Sequence, residues 1–290
     1  MKGAIALLTM AMVAVGAQCK AGGNGIPVDG YVECISPNSE LTATVVLGND
    51  SSYLNVLHPS GDLKATVESW PRGIDWPFVN WLDDSTLFIG SKDVAYHTLN
   101  IDTGEQTPLE SLQGISAHAT CIDSKLRRLY MLWGSRTDKG PATYIWVYGF
   151  DSGALEKLHL GVLMDFCQGL TAIGKDSLLY NGVHIKIVSL RNDSQDVLVD
   201  DAGNPLVGED SRGSLIDGGR KFIFNVSAGQ PALYDFTTQR VTEIHGLSGF
   251  FDPVVAPDGS FLYVTDTIPP YHTYRYDGSV LNVANETGLH

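Results

Sequence analysis

The sequence predicts an all-β fold, a six-bladed β-propeller with four antiparallel strands in each blade. The first observation behind this prediction is a short hairpin, an apolar residue followed by a polar turn, which recurs along the 290 residues. The hairpins are separated by 43, 49, 41, 44 and 40 residues when marked at Gly61, Gly104, Gly153, Ser194, Thr238 and Gly278. A period of this length, with strands on both sides of each hairpin, is typical of propeller blades.

The second observation is that each repeat also contains an earlier hairpin. The clearest copy runs from Val255 to Tyr263 and contains Pro257-Asp258-Gly259, a tripeptide that favours a tight turn because proline fixes φ and glycine accepts positive φ. Two hairpins provide four strands, which is one blade. The predicted blades cover about 30–70, 74–110, 115–160, 165–200, 209–246 and 249–286.

The third observation is the pattern of apolar residues, which shows no helical period. The segment Tyr144-Ile145-Trp146-Val147-Tyr148 is rich in the aromatic and β-branched residues that strands favour. A two-sheet sandwich would not explain the repeat. Because the first and last blades both look complete, we expect the ring to close by packing between blades, with Ile26-Pro27-Val28 as an additional edge.

The N-terminus has the features of an export signal. Lys2 precedes an apolar run from Ala4 to Val15, and small residues follow up to Ala17. We therefore predict a signal peptide over residues 1–17, a propeller domain over 18–290, and a monomer that is secreted, or periplasmic in a bacterium. The run is short for a bilayer span, so an uncleaved anchor is the less favoured alternative.

The cysteines and sequons are interpreted in that context. An even number of cysteines in an exported chain favours disulfides, and the pairings expected here are Cys19–Cys34 and Cys121–Cys167, with buried free thiols as the alternative. In a eukaryotic secretory pathway, glycosylation is predicted at the four sequons. These are Asn49, Asn192, Asn225 and Asn285.

The charge of the chain limits its partners. The formal net charge of −14 repels phosphate backbones, so nucleic acid is not an expected partner. The same field attracts cations and cationic ligands. The sequence contains no other long apolar run, so no membrane span is expected.

Candidate site residues lie in the loops that lead into the first strand of each blade, because propellers place ligands at one mouth of the central channel. Several carboxylates from such loops can surround a divalent cation such as Ca²⁺, or raise one another's pKa. The predicted metal ligands are Asp75, Asp165, Asp210 and Asp252. Asp252 and His118 are the predicted catalytic residues, and the alternative for these side chains is the capping of turns.

Three aromatic residues in the same loops, and a fourth further along the last blade, are predicted to bind the ligand. They are Trp76, Phe166, Phe251 and Tyr271. Trp70 and Trp81 lie close to Trp76 in the sequence, and this group has two interpretations. It forms either an aromatic platform for a sugar or apolar ligand, or packing between adjacent blades.

The segment from Ala256 to Thr267 resembles the corresponding segment of six-bladed propellers of the regucalcin/gluconolactonase-like, NHL and TolB types. The resemblance covers about one blade and implies the six-bladed fold. In the gluconolactonase-like family an aspartate at the position of Asp266 can bind a metal, so the resemblance also implies metal-assisted lactone chemistry. The glutamate and asparagine ligands of that family are not identifiable here.

Function therefore remains open between two classes, because propellers serve both. One is a secreted enzyme that acts on a small molecule at the acidic and aromatic mouth. It would catalyse metal-assisted lactone or ester hydrolysis, or a cyclisation in secondary metabolism. The other is a non-catalytic propeller that binds a secreted protein, peptide or glycan.

Overall fold

The computed structural model describes residues 25–74, 76–137, 140–160, 169–192, 194–208, 212–226, 229–267 and 271–281, with the backbone alone for 134–137 and 140–142. Within these residues the chain forms six antiparallel sheets of four strands each. The predicted six-bladed propeller is confirmed.

Blades 1 to 3 follow one another along the chain. Blade 1 comprises β2 (Tyr31–Ile35), β3 (Thr42–Leu47), β4 (Ser51–Leu57) and β5 (Leu63–Pro71). Blade 2 comprises β6 (Phe78–Trp81), β7 (Thr86–Gly90), β8 (His97–Asn100) and β9 (Gln106–Pro108), and a 3₁₀ turn at Glu110–Leu112 follows it. Blade 3 comprises β10 (Ala119–Asp123), β11 (Arg128–Thr137), β12 (Gly140–Gly149) and β13 (Leu155–His159).

Blades 4 to 6 complete the ring. Blade 4 comprises β14 (Gly169–Gly174), β15 (Ser177–Asn181), β16 (Ile185–Ser189) and β17 (Gln195–Val197). Blade 5 comprises β18 (Ser214–Ile216), a 3₁₀ turn at Asp217–Gly219, β19 (Lys221–Val226), β20 (Gln230–Asp235) and β21 (Arg240–Glu243). Blade 6 comprises β22 (Phe250–Val255), β23 (Phe261–Asp266), β24 (Thr273–Asp277) and the N-terminal strand β1 (Ile26–Val28).

The ring closes by hydrogen bonding between the two ends of the chain. Strand β1 pairs antiparallel with β24, with Ile26 opposite Arg275 and Val28 opposite Thr273. The additional edge expected at Ile26-Pro27-Val28 is present, but the expectation that the last blade is complete without it and that packing between blades closes the ring was wrong. Strand β24 has an open edge that the N-terminal segment covers, and Pro27 is tolerated there because β1 is an edge strand.

The core of the described chain consists of six apolar clusters, one at each boundary between adjacent blades. The middle strands contribute alternate side chains to opposite neighbours, because successive residues of a strand point to opposite faces. In β7, for example, Leu87 and Ile89 pack towards blade 1 while Phe88 packs towards blade 3. Both faces of each such strand are therefore buried, which explains the nearly continuous apolar runs of the sequence.

The predicted turn at Pro257-Asp258-Gly259 forms as expected. Gly259 adopts φ +74°, and its N–H donates to the carbonyl oxygen of Ala256 at 2.8 Å. The Asp258 carboxylate accepts a hydrogen bond from the N–H of Ser260 at 2.9 Å. In the part of the chain that is described, no helix has the length and apolar character needed to span a bilayer.

Candidate functional site at the channel mouth

The six innermost strands all begin at the same end of the central channel. The side chains gathered at that end, from blades 1, 2, 5 and 6, form what we call the mouth. Its members are Tyr31, Glu33, Trp76, Arg212, Phe251, Asp252 and Tyr271. They are separated by up to 240 positions in the sequence (Tyr31 to Tyr271), so only the closed ring brings them together.

Two β-bulges place the acidic residues of the mouth. In β2 the register with β3 shifts between Val32 and Cys34, which leaves Glu33 as the extra residue. In β22 the register with β23 shifts between Phe251 and Val254, and Asp252 within that interval adopts φ +48°. Because a bulge interrupts the regular alternation of side chains, it can redirect a residue of the innermost strand, and bulges are common next to functional sites.

Glu33 forms the polar centre of the mouth. One carboxylate oxygen accepts a hydrogen bond from Nη1 of Arg212, and the other accepts one from the indole Nε1 of Trp76 at 2.5 Å. The Glu33 side chain is only 1% exposed, whereas 40% of the Arg212 side chain remains accessible. The ion pair is thus buried on the carboxylate side and open on the guanidinium side.

Arg212 also contacts the mouth through its backbone. Its N–H donates to Oδ1 of Asp252 at 3.0 Å. A Cβ atom placed on Gly169 would lie 2.4 Å from the carbonyl oxygen of Arg212, so only glycine at this position allows blade 4 to approach so closely. Gly213, which follows Arg212 in the chain, has φ +66°, a value that residues other than glycine rarely adopt. Two glycines therefore fix the backbone of Arg212.

Asp252 is a buried carboxyl group of the mouth whose pKa differs from its usual value. It is 9% exposed, and burial raises its pKa to about 7, although the hydrogen bond from the N–H of Arg212 acts in the opposite direction. Since a carboxyl group with this pKa exists in both protonation states near neutral pH, it can donate or accept a proton there.

Four aromatic rings line one side of the mouth in a row. The ring centroids of Trp76 and Tyr31 are 6.1 Å apart, those of Tyr31 and Phe251 are 6.4 Å apart, and those of Phe251 and Tyr271 are 5.7 Å apart. The guanidinium carbon of Arg212 lies 5.5 Å from the Tyr31 centroid. Trp76 is 38% and Tyr271 is 60% exposed, so the row offers an apolar surface to solvent.

The structure brings together four of the predicted site residues, namely Trp76, Phe251, Asp252 and Tyr271. His118 lies before β10 at the same end of the propeller, and its exposed side chain has no hydrogen bond or ring contact with these four within the described chain. The other predicted residues lie outside the described residues. They are Asp75, Asp165, Phe166 and Asp210.

The described part of the mouth does not form a cation site. No group of three His, Cys, Asp or Glu side chains in the described residues is arranged to hold a metal ion. Both oxygens of Glu33 are engaged by Arg212 and Trp76, and the guanidinium would repel a cation. Asp266, which the family resemblance implicates, ends β23 and pairs with Phe250 of the innermost strand. A metal site here therefore depends on the acidic residues outside the described part.

Trp70, Trp76 and Trp81 do not share one role, since two of them pack between blades and the third lies at the mouth. Trp70 and Trp81 are buried in the core between blades 1 and 2, so they pack the blades together. Trp76 faces the mouth instead and binds Glu33.

The cysteines and sequons are placed only in part. Cys34 forms no disulfide within the described chain, and burial, with a smaller contribution from Glu33, raises the pKa of its thiol. Cys19 and Cys167 lie outside the described residues, so the pairings Cys19–Cys34 and Cys121–Cys167 stay predictions, as does glycosylation at Asn285. Asn49 and Asn192 are exposed. Asn225 is 1% exposed and donates its amide hydrogen to the carbonyl oxygen of Phe250, so the folded chain does not offer it to a glycan.

Sequence reasoning missed Tyr31, Glu33 and Arg212. A signal for Glu33 was present, because an acidic residue interrupts the apolar strand Tyr31-Val32-Glu33-Cys34-Ile35. Arg212 follows the acidic residues Glu209 and Asp210, and no local motif distinguishes it from a surface arginine.

Comparisons with known proteins agree with the fold. No family model matches the sequence, and no curated protein is detectably similar to it. Among solved structures, the chain is similar to TolB from Acinetobacter baumannii, with a TM-score of 0.59 and 14% identity over 83% of this chain. The match spans 64% of the TolB chain, less than two thirds of its length.

A second similar structure is oligogalacturonate lyase from Vibrio parahaemolyticus, with a TM-score of 0.54 and 9% identity. That match covers 88% of this chain and 91% of the lyase. At such low identities both likenesses establish the propeller fold alone, which a binding protein and an enzyme share.

Proposed function

We propose that the chain is a small-molecule enzyme whose substrate binds at the mouth and whose proton-transfer group is Asp252. The observation that supports this most is the position of Asp252, buried on a bulge of the innermost strand, beside the backbone of Arg212 and next to Phe251 in the row of aromatic rings. General acid–base catalysis works best with a group whose pKa lies near the working pH, and the pKa of Asp252 is raised to about 7.

The neighbouring groups have matching roles. Arg212 supplies a positive charge that can stabilise negative charge as it develops on a substrate oxygen. The aromatic rings of Trp76, Tyr31 and Phe251 exclude water from one side of the site and bind the apolar body of the substrate. Hydrolysis of a lactone or ester and a proton-driven cyclisation both use these groups.

The test is a panel of small lactones and esters with the exported protein. Asp252→Asn should reduce kcat at least about 100-fold, which is typical for the loss of a general acid or base. Asp277→Asn, at the opposite end of the propeller, is the matched control and should keep full activity. An active Asp252→Asn variant would exclude Asp252 as the proton-transfer group.

Metal assistance is a separate part of the proposal, and it depends on Asp75, Asp165 and Asp210. We expect EDTA to lower the melting temperature and Ca²⁺ or another divalent ion to restore it, because a ligand at 100 times its Kd stabilises by about 2.7 kcal/mol. Melting temperatures that are the same with EDTA and with every added ion would remove the metal from the mechanism.

A non-catalytic propeller that binds a secreted protein, peptide or glycan is the second candidate. The exposure of the Tyr271 and Trp76 rings favours it, because exposed aromatic residues are enriched in binding sites. Under this alternative, Tyr271→Ala weakens capture of a partner from the native secreted medium, while Asp252→Asn has no effect on that capture.

Export of a monomer, with residues 1–17 removed, completes the proposal. Mass spectrometry of the protein recovered from the medium or periplasm should show a chain that begins at Gln18. Size-exclusion chromatography with light scattering should give the mass of one chain.

A further inference from the structure

We infer that the ligand of the mouth carries a carboxylate, which binds to the guanidinium of Arg212, and a flat apolar body, which lies along the aromatic row. This inference names the ligand class of the proposed site, and so it depends on the proposed function. It follows from the way in which Arg212 is held and from the donors that remain available on it.

Arg212 is contacted by residues of three other blades, and a fourth blade holds its partner Glu33. Glu33 of blade 1 accepts a hydrogen bond from its Nη1, and Trp76, on the way into blade 2, binds the other oxygen of that carboxylate. Asp252 of blade 6 accepts a hydrogen bond from its backbone N–H, and Gly169 of blade 4 packs against its peptide group. A long side chain is thereby ordered before any ligand binds, which lowers the entropic cost of binding.

Most donors of this guanidinium have no acceptor in the described protein. An arginine side chain carries five N–H groups, and here only Nη1 has an acceptor among the described residues. The side chain is 40% accessible, so the remaining N–H groups can reach a ligand. A carboxylate is the natural acceptor, because a guanidinium binds it through two parallel hydrogen bonds.

The acidic residues of the mouth do not prevent an anion from binding. The Glu33 carboxylate is nearly fully buried and turned towards Trp76 and Arg212, so a ligand meets the guanidinium rather than the acid. The carboxyl group of Asp252 is also buried and accepts a hydrogen bond from the backbone of Arg212. Of the charges carried by these three described residues, Glu33, Asp252 and Arg212, the accessible one is therefore the positive charge of Arg212.

The aromatic row defines the rest of the ligand. Tyr31 lies beside the guanidinium, and Phe251 and Tyr271 continue the apolar surface away from it. A carboxylate bound to Arg212 would therefore be attached to a body that stacks on these rings, with aromatic and unsaturated acids as the simplest examples.

The test uses three matched pairs of probes, in which each acid is compared with its neutral amide: benzoate with benzamide, phenylacetate with phenylacetamide, and cinnamate with cinnamamide. Isothermal titration with the full chain should show that at least one acid binds about tenfold or more tightly than its amide, because a hydrogen bond to a charged group contributes more than a neutral one. Arg212→Gln should abolish this preference and leave amide binding unchanged.

Two further variants control for folding and for overall charge. Arg212→Lys keeps the charge and loses the paired geometry, so its preference for the acid should be intermediate. Arg220→Gln removes an arginine that pairs with Asp217 at the opposite end of the propeller, and its preference should equal that of the unmodified protein. If Arg212→Gln does not fold, a reduced preference in Arg212→Lys supports the inference and an unchanged one overturns it.

The remaining outcomes separate this inference from the proposed function. If acids and amides bind equally well and Tyr271→Ala weakens both, the mouth is still the binding site. The inference that its ligand carries a carboxylate would then be overturned. Failure of every acid and amide to bind would overturn the ligand class, while the effect of Asp252→Asn on lactones and esters would still decide the proposed function. Binding that Tyr271→Ala and Arg212→Gln both leave unchanged would place the binding site of these probes elsewhere and overturn this inference, and the effect of Asp252→Asn would again decide the proposed function.

Discussion

The two ends of the propeller carry the same residue type with opposite chemistry. At the mouth, burial raises the pKa of Asp252 to about 7. At the far end, where the strands turn back, Asp277 accepts a hydrogen bond from the N–H of Ser279 at 2.8 Å, and this bond lowers the pKa of its carboxyl group. Asp235 behaves in the same way, with the N–H groups of Thr238 and Thr237 as donors.

The far end also has a concave surface, a groove of about 520 Å³ between blades 5 and 6. Its walls include Asp217, Asp258 and Asp277. Each of these carboxylates is engaged close to its own turn, by Arg220, Ser260 and Ser279 respectively. Asp258 also bonds with Ser39 of blade 1, and this contact likewise favours the ionised carboxylate, so the groove supports proton transfer near neutral pH less well than the mouth does.

The difference shows that the position of an aspartate in the ring, and not its presence in a loop, determines what it can do. A turn at the far end supplies local N–H groups, which favour the ionised carboxylate. At the mouth, the bulge of β22 buries Asp252 with one backbone donor and no cationic partner for its carboxyl group in the described chain. The ionised form is therefore disfavoured.

The largest effect should come from the pH dependence of stability. The pKa of Asp252 is higher in the folded than in the unfolded chain, so the folded state binds the proton more tightly and its stability falls as the pH rises from about 4 to 7. For a shift of this size the loss is at most about 4 kcal/mol. Asp252→Asn should remove it, and urea denaturation at intervals between pH 4 and pH 8 would measure the difference.

The sign of this effect distinguishes the two ends. Asp252→Asn should be more stable than the unmodified protein at pH 8 and nearly equal to it at pH 4. Asp277→Asn should have the opposite dependence, because a carboxyl group with a lowered pKa stabilises the fold above its unfolded pKa and loses that contribution as the pH falls. Parallel curves for the unmodified protein and Asp252→Asn would show that Asp252 is not buried in this way.

The next effect concerns the two kinds of ion pair. Glu33→Ala leaves Arg212 and the indole N–H of Trp76 without their acceptor and should destabilise the protein by about 2–3 kcal/mol, below the usual range for a buried pair because Arg212 retains solvent contact. Asp151→Ala, which removes the exposed partner of Arg127 at the far end, should cost less than about 1 kcal/mol. Equal losses in thermal denaturation would mean that the mouth pair is as weakly coupled as a surface pair.

The smallest expected effect comes from the ion pair between His97 and Glu68, which shows how a charged partner changes the pKa of a buried group. His97 of blade 2 is buried like Asp252, but its Nε2 lies 3.1 Å from the carboxylate of Glu68 in blade 1. Burial alone would lower the pKa of His97, and the bonds to Glu68 and to the Ala95 carbonyl outweigh it, so the pKa is raised. The pair therefore stabilises the fold below the unfolded pKa of histidine, and this contribution is lost as the pH rises through the folded pKa.

Glu68→Gln tests this pair. It should cost about 1 kcal/mol at pH 5.5, where the histidine is charged, and less at pH 9. A cost that does not change with pH would show that His97 is neutral throughout, and that burial outweighs the partner after all.

Much of the site could be predicted because propeller geometry is regular. Once a repeat establishes the first strand of each blade, the loops before those strands must meet at one end of the channel, and Trp76 and Asp252 were selected on that basis. The same reasoning predicts Phe251, whereas Tyr271, between β23 and β24, was predicted only as an aromatic candidate, and the structure places all four together. Ile26-Pro27-Val28 was predicted as an additional edge, but its role in closing the ring was not, because a three-residue strand does not specify the strand with which it pairs.

The missed residues have a different physical origin. Arg212 matters because Glu33, 179 positions away, accepts its hydrogen bond, and no local pattern encodes a contact over that separation. The bulges that present Glu33 and Asp252 depend on the register between neighbouring strands, which alternation of apolar residues does not specify to one residue.

The sequence by itself determined the number of blades, the turns between their strands and the end of the channel at which the candidate side chains gather. It could do so because turn chemistry and strand periodicity are local properties of the chain. Only the tertiary structure decided that the mouth is centred on an arginine–glutamate pair, and that Asp252 rather than any far-end aspartate has a raised pKa. Both depend on burial and on contacts between blades, which exist only after the ring has closed.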